Sequence, residues 1–267
     1  MRQAMIFAAG LGTRLKPLTD TMPKALVRVG GEPLLWHVIQ KLKASGYERL
    51  VVNVHHFAEQ IVDYLKANDN FGLDISISDE TSGLLETGGG IKKALPLFDP
   101  SEPILIHNVD ILSNLDLTGR LSPVCEAGEA HGDSPLCESN PDALLLVSQR
   151  KTKRYLLFDD EMILDGWMNI ETGEVRSPYP ALDPTGLKRL AFSGIHIIWP
   201  RIFPLFEQMP ERFGIIDFYL KYCHQCAFFG LEKKNLQLLD VGKLDTLEQA
   251  NEFINNLEQQ DYRPLTP

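Results

Sequence analysis

Short apolar runs alternate with amphipathic stretches through the first half of this chain. MIFAA (5–9) predicts a short buried strand, and PLLWHVIQKLKASG (33–46) predicts a helix with Pro33 in its first turn and Gly46 at its end. Leu34, Val38 and Leu42 recur at helical spacing along it. RLVVNV (49–54) predicts the next strand, AEQIVDYLKA (58–67) the next helix and LDISIS (73–78) a further strand. The loop LLETGGG (84–90) opens a helix over IKKALPLF (91–98), and PILIHNVDIL (103–112) reads as one more buried strand. Apolar strands separated by helices imply parallel pairing with helices on both faces, so the expected class is α/β with a doubly wound, mostly parallel sheet.

The second half alternates less cleanly. GEAHGDSPLCESNPD (128–142) is polar and turn-rich and reads as a surface loop without chemistry of its own. DALLLVSQ (142–149), RYLLFDD (154–160) and LAFSGIHIIW (190–199) predict strands, and DFYLKYCHQC (217–226) a helix. LQLLDVG (236–242) runs from a strand into a loop before the helix LEQANEFINNL (247–257), where Thr246 and Gln249 suit a capping box. No repeat, linker or low-complexity tract is visible, so the 267 residues are expected to form one domain.

Composition narrows the classes of partner. The chain is 44% hydrophobic and 23% charged, with a net charge of -10, a pI near 5.2 and a mean hydropathy of -0.11. An acidic surface argues against nucleic acid and membrane as partners, because both call for a broad basic face. No apolar run reaches the ~18 residues of a bilayer span, and no leader is expected, so the reading is a soluble cytoplasmic protein. Four cysteines in this length do not suggest a disulfide framework. Cys223-x-x-Cys226 has no second pair for zinc, since Cys125 and Cys137 lack that spacing, and its apolar setting predicts inert thiols.

Against this acidic background, FAAGLGTRLKPLTDTMPKAL (7–26) gathers Arg14, Lys16 and Lys24 behind Gly10 and Gly12. Glycines after a strand let backbone N–H groups approach a phosphate, although a lone G-x-G also suits a tight turn. A dinucleotide fingerprint would need glycine at Leu15, and a Walker-type loop would need Ser or Thr where Pro17 stands. In a parallel α/β sheet ligands sit at the carboxyl ends of the strands. The Gly10–Arg14 loop, the Glu86–Gly90 loop, Asn108, Asp110 and Asp240 all fall at such ends. His55 and His56 end a strand, where neighbours face opposite sides; they and His107 are expected to be structural.

AAGLGTRLKPLTDTMPKALVRVGGEPLL (8–35) resembles the signature of the sugar-1-phosphate nucleotidyltransferases, G-x-G-T-R-(x)-L-x-P-L-T followed by P-K-x-L. LLETGGGI (84–91) is similar to the base-facing loop of that family, and NVD (108–110) stands where many members have N-G-D. FSGIHII (192–198) and LDVGKLDTLEQA (239–250) resemble its late sugar-side strand and its D-x-G-T segment. The resemblance implies a Rossmann-like nucleotide-diphospho-sugar transferase fold, with a nucleotide-binding half (1–118) and a sugar-binding half (143–267). It also implies a reaction joining a sugar 1-phosphate to a nucleoside triphosphate, with release of pyrophosphate. Such chemistry asks for amides, cations and a metal rather than a nucleophile and base.

The roles that this resemblance implies can be placed residue by residue. Gly10, Leu11, Gly12 and Thr13 would cradle phosphates, Arg14 would clamp the β- and γ-phosphates, and Lys24 would neutralise the α-phosphate. Ala8 and Ala9 would let the nucleoside approach, with Asn108 also on the nucleotide side. Glu86, Thr87, Gly88 and Gly89 would border the base, the glycines allowing close approach. Asp110 and Asp240 would hold one Mg²⁺. On the sugar side the implied residues are Gly194, Asn169, Lys153 and Arg154, with Arg150 and Lys188 as further cations.

Two departures matter. The family's E-K-P triplet is missing, LDGWMN (164–169) being its counterpart by order, and Val109 replaces a common glycine. Within the family, N-acetylmuramate-1-phosphate uridylyltransferases using UTP are the nearest expectation. Mannose- or heptose-1-phosphate guanylyltransferases using GTP are the alternative, and a nucleotide-binding subunit without turnover is a third reading.

Overall fold

The structure is a computed structural model that describes residues 1–119 and 141–260. Most of the 128–142 loop, with Cys125 and Cys137, therefore lies outside the described residues. In chain order, β1 (Arg2–Phe7) leads into three one-turn 3-10 helices, Thr13–Leu15, Leu18–Asp20 and Lys24–Leu26. Next come β2 (Arg28–Val29), β3 (Glu32–Pro33), α1 (Leu34–Ala44), β4 (Tyr47–Val54), α2 (Ala58–Ala67) and β5 (Asp74–Asp79). They are followed by α3 (Glu86–Ala94), β6 (Ile104–Asn108) and β7 (Ile111–Ser113). The later stretch holds β8 (Ala143–Ser148), β9 (Arg154–Phe158), β10 (Leu164–Asn169), β11 (Val175–Arg176) and β12 (Lys188–Ile198). The described chain closes with α4 (Ile215–Tyr222), β13 (Phe228–Glu232), β14 (Leu238–Asp240) and α5 (Asp245–Gln260).

These elements form two compact units, each built from separated stretches. The first comprises Met1–Leu84, His107–Thr118 and Asn235–Pro267, and the second Leu85–Ile106 and Gly119–Lys234. The halves expected from the sequence do not coincide with them, because 85–106 belongs to the second unit and 235–267 to the first.

In the first unit β4 pairs in parallel with both β1 and β5, Met5 opposite Val51 and Val51 opposite Ser76. Ala4, Met5, Ile6, Leu50, Val51 and Val52 are fully buried. Covered on both faces, these strands read as continuous apolar runs rather than alternating ones. Helix α1 buries Leu34, Leu35, Val38, Ile39 and Leu42, while Lys41 and Lys43 complement the dipole at its carboxyl end. In the second unit the strand order is β13-β8-β12-β9-β10-β11, with β8 and β13 parallel and the other pairs antiparallel.

Several elements differ from expectation. Helix α3 begins at Glu86, so the glycines read as a loop are helical. The single strand expected over 103–112 is split into β6 and β7 by a turn at Val109–Asp110. Strands β10, β11 and β13 carry no prediction; β13 lies beyond a helix that ends at Tyr222 rather than Cys226. Thr246 does not form the expected cap, since α5 starts at Asp245 and the Thr246 hydroxyl donates back to the Lys243 carbonyl. Among the described residues, no helix is long and apolar enough to cross a membrane.

Candidate active site

The loop after β1 presents a run of unused donors. The N–H groups of Ala8 and Ala9 both bond to the Asn53 side-chain oxygen, at 2.7 and 3.3 Å, and both residues are buried. Past them the chain turns outward. Among the described residues, the N–H groups of Gly10, Leu11, Gly12 and Thr13 have no hydrogen-bond acceptor. Gly12 sits at φ +63, where a β-carbon would meet Thr19 Cγ2 at 2.8 Å. Its carbonyl accepts from the Thr19 hydroxyl at 2.8 Å and from the Leu15 N–H at 2.8 Å. Open amides beside a cation form an anion-binding concavity. The cation is the exposed Arg14.

Two other predicted charges meet directly. Lys24 Nζ forms an ion pair with Asp110 Oδ2, the side chains being 10% and 18% exposed. A nearly buried pair is weak evidence of stabilisation, because desolvating two ions offsets most of their attraction. Its chemistry is the better reason for its place. Asp240 reaches the same neighbourhood through β14, which pairs antiparallel with β7, Asp240 opposite Ile111. The Val241 N–H donates to the Asp110 carbonyl at 2.8 Å. Asp240 Oδ1 is buried with no hydrogen-bond partner among the described residues. A β-carbon on Gly242 would lie 2.7 Å from that oxygen and 2.8 Å from Arg14 Nη2. Arg14, Asp240 and Gly242 therefore crowd one point.

An orphaned buried carboxylate oxygen beside a second carboxylate suits a hard divalent cation. Among the described residues no group of three or more His, Cys, Asp or Glu could hold a metal. Mg²⁺ commonly takes only one or two protein carboxylates and completes its octahedron with water and phosphate oxygens. The donor set fits that ion.

The segment expected to border the base, at the start of α3, is engaged by its own unit. Gly88 and Gly89 donate their N–H groups to the Phe213 carbonyl at 2.9 and 3.1 Å. A β-carbon on Gly88 would lie 2.2 Å from the Phe213 ring, and one on Gly89 would lie 2.3 Å from the Glu211 carbonyl oxygen. The close approach that these glycines permit is used by residues 211–213. Thr87 Oγ1 accepts from the Ile215 N–H at 2.9 Å, and Glu86, at φ +63, pairs with Arg212 at 2.9 Å. Asn108 closes β6, its carbonyl 2.8 Å from His107 Nδ1.

On the sugar side, Asn169 lies opposite Arg154 across the β9–β10 ladder, and Lys153 pairs with Glu171 at 2.8 Å. The Asn169 side chain caps the following turn, accepting from the Glu171 N–H at 3.0 Å. Gly194, at φ +73, marks a break in the β12–β8 register between Phe192 and His196. Arg150, one of the four candidate cations, donates to the Phe192 carbonyl at the edge of this break, at 2.9 Å.

The surroundings of the remaining histidines and cysteines suit the structural role expected of them. Burial pushes His107 down to about 4, and its Nε2 has no partner among the described residues. His55 bonds to the Glu80 carbonyl at 2.7 Å, and His56 packs on Phe57. Burial pushes the Cys223 thiol up to about 12 and Cys226 up to about 11, so neither is a ready thiolate. The sequence reading overlooked Asn53 and Glu80. The signal for Asn53 was a lone polar residue inside the apolar run LVVNV (50–54); Glu80, within the polar stretch SDETSG (78–83), gave none.

Known proteins resemble this chain in sequence and in fold. Residues 3–133 match the profile described as nucleotidyl transferase. Two relatives carry the name N-acetylmuramate alpha-1-phosphate uridylyltransferase. The protein from Caulobacter vibrioides is 50% identical over 109 residues, 40% of this chain and 45% of that one. Its counterpart from Neisseria meningitidis is 45% identical over 117 residues, 43% of this chain and 50% of that one. The chain thus spans about half the length of the curated relatives that it matches. A putative glucose-1-phosphate thymidylyltransferase from Bacillus anthracis superposes with a TM-score of 0.74 at 15% identity, covering 99% of this chain and 98% of that one. That likeness gives the fold alone: the α/β fold of nucleotide-diphospho-sugar transferases, as expected from the sequence.

Proposed function

We propose that this protein is a sugar-1-phosphate nucleotidyltransferase, joining a sugar 1-phosphate to a nucleoside triphosphate with release of pyrophosphate. The observation that carries the reading is the run of open amides at Gly10–Thr13, in one unit with Arg14, the Lys24–Asp110 pair and the unpartnered Asp240 oxygen. The amides and Arg14 would hold the β- and γ-phosphates, and Lys24 would turn from Asp110 towards the α-phosphate. An oxygen of the sugar phosphate, already anionic at neutral pH, attacks the α-phosphorus, and the bond to pyrophosphate breaks. No general base is required. Asp110 and Asp240 would hold Mg²⁺, whose charge offsets that of the phosphates.

UTP and N-acetylmuramate 1-phosphate are the substrates we favour, because the two relatives at 50% and 45% identity bear that activity in their names. Glu86 and Thr87 are proposed for the base side, and Gly194, Asn169, Lys153 and Arg154 for the sugar phosphate. The test is pyrophosphate release by the full chain with Mg²⁺, UTP or GTP, and a panel of sugar 1-phosphates. Release with UTP and N-acetylmuramate 1-phosphate is the expected result. Turnover with GTP and mannose or heptose 1-phosphate instead would move the protein to the guanylyltransferases. Nucleotide binding without release under any pairing would make it a non-catalytic subunit.

A further inference from the structure

Asn53 occupies the penultimate position of β4, in a strand otherwise filled by leucine and valine over 50–54. Three of the four hydrogen-bonding positions of its side chain are used. Oδ1 accepts the N–H groups of Ala8 and Ala9 at 2.7 and 3.3 Å, and Nδ2 donates to Glu80 Oε1 at 2.7 Å. Asn53 is 1% exposed and Glu80 is fully buried. Glu80 is itself fixed by its backbone: its N–H donates to the Val54 carbonyl at 2.8 Å, and its carbonyl accepts from the Gly83 N–H at 2.9 Å. A chain of hydrogen bonds thus runs from the end of β5, through β4, to the exit of β1.

A buried amide and carboxylate are costly to hold in a sheet that aliphatic side chains could fill. Their location explains the cost. By taking two successive N–H groups inward, Asn53 sets the orientation of the peptides at which the loop leaves the sheet. The next four N–H groups, Gly10 to Thr13, have no acceptor among the described residues. Asn supplies this acceptor without placing a negative charge against the loop, and the carboxylate stands one residue further back.

We propose that Asn53, oriented by Glu80, is a positioning residue that presets the open amides of residues 10–13 for a triphosphate. The inference rests on the reading of that loop as a phosphate cradle. Its test is equilibrium binding of UTP with Mg²⁺, in the absence of sugar phosphate, at a temperature well below each variant's melting midpoint. Asn53→Asp puts two carboxylates together and should weaken UTP binding about tenfold or more. Adding Glu80→Gln restores a donor facing an acceptor and should recover most of that loss, since residues in one network are not additive.

Wild-type affinity in a folded Asn53→Asp variant would overturn the proposal, because a merely structural pair lowers the melting midpoint and leaves binding alone. Failure of the double variant to recover would also overturn it. Should Asn53→Asp not fold, the double variant alone decides: near-native affinity supports the proposal, and a loss of about tenfold overturns it. If the unaltered chain binds no nucleoside triphosphate, the reading of the loop falls, and the proposal falls with it. Wild-type binding with an indifferent variant sinks the proposal alone.

Discussion

A β-carbon at Gly242 would lie 2.7 Å from Asp240 Oδ1 and 2.8 Å from Arg14 Nη2. Both neighbours are the ends of side chains, so Gly242→Ala should fold and displace the guanidinium together with the Asp240 carboxylate. We expect UTP affinity to fall about tenfold, equivalent to ~1.4 kcal/mol, by calorimetric titration, with a melting midpoint close to wild type. Unchanged affinity would remove Arg14 from the phosphate site. Arg14, Lys24, Asp110 and Asp240 were legible because charge in an unusual place is a local signal. Gly242 was not, because its requirement comes from two side chains brought to it by other segments. Asn53 escaped for the same reason: its partners at Ala8 and Ala9 are 45 and 44 residues away.

Helix α3 carries Gly88, Gly89 and Gly90, and each glycine in a helix costs ~1 kcal/mol against alanine. Local propensity therefore favours a loop there, as the sequence reading had it. Packing reverses the outcome: all three glycines are buried, and two give their N–H groups to the Phe213 carbonyl. Two effects oppose each other in Gly88→Ala. Better helix propensity contributes ~1 kcal/mol, whereas a β-carbon 2.2 Å from the Phe213 ring forces displacement of a buried aromatic. Overpacking of this kind costs ~1–3 kcal/mol and should win. Urea unfolding of Gly88→Ala is expected to show a net destabilisation of about 1 kcal/mol or more. A stabilised variant would mean that Phe213 does not hold the turn. The split of β6 from β7 was hidden for a related reason, since Val109 is as apolar as a strand interior requires.

Across the whole molecule, each unit is assembled from separated stretches of chain, and each holds a buried histidine. His107 lies in the first unit and is pushed down to about 4; His196 lies in the second and is pushed down to about 3, both by burial. In the unfolded chain both titrate near the ordinary value of ~6.5. Below that pH the unfolded state binds more protons than the folded one, so stability is complete above about 6.5 and is lost as pH falls towards 4. Each histidine contributes up to ~1.4 kcal/mol per pH unit over its range. Asp159 and Asp165, raised by burial but largely solvated, oppose this only weakly and within the carboxylate range. Urea unfolding between pH 7 and 4 should therefore show a steep loss, shallower in His107→Gln; a flat profile would contradict the burial of both rings. The sequence by itself determined the alternation of strands and helices, the glycine-and-cation loop after β1, and the two aspartates, because each is written in residue type and short-range spacing. Only the tertiary structure decided which amides stay open, which glycines are filled by neighbours, and that β14 brings Asp240 to Asp110. Those outcomes depend on burial and on partners supplied by remote strands, and neither can be read from a residue's neighbours in the chain.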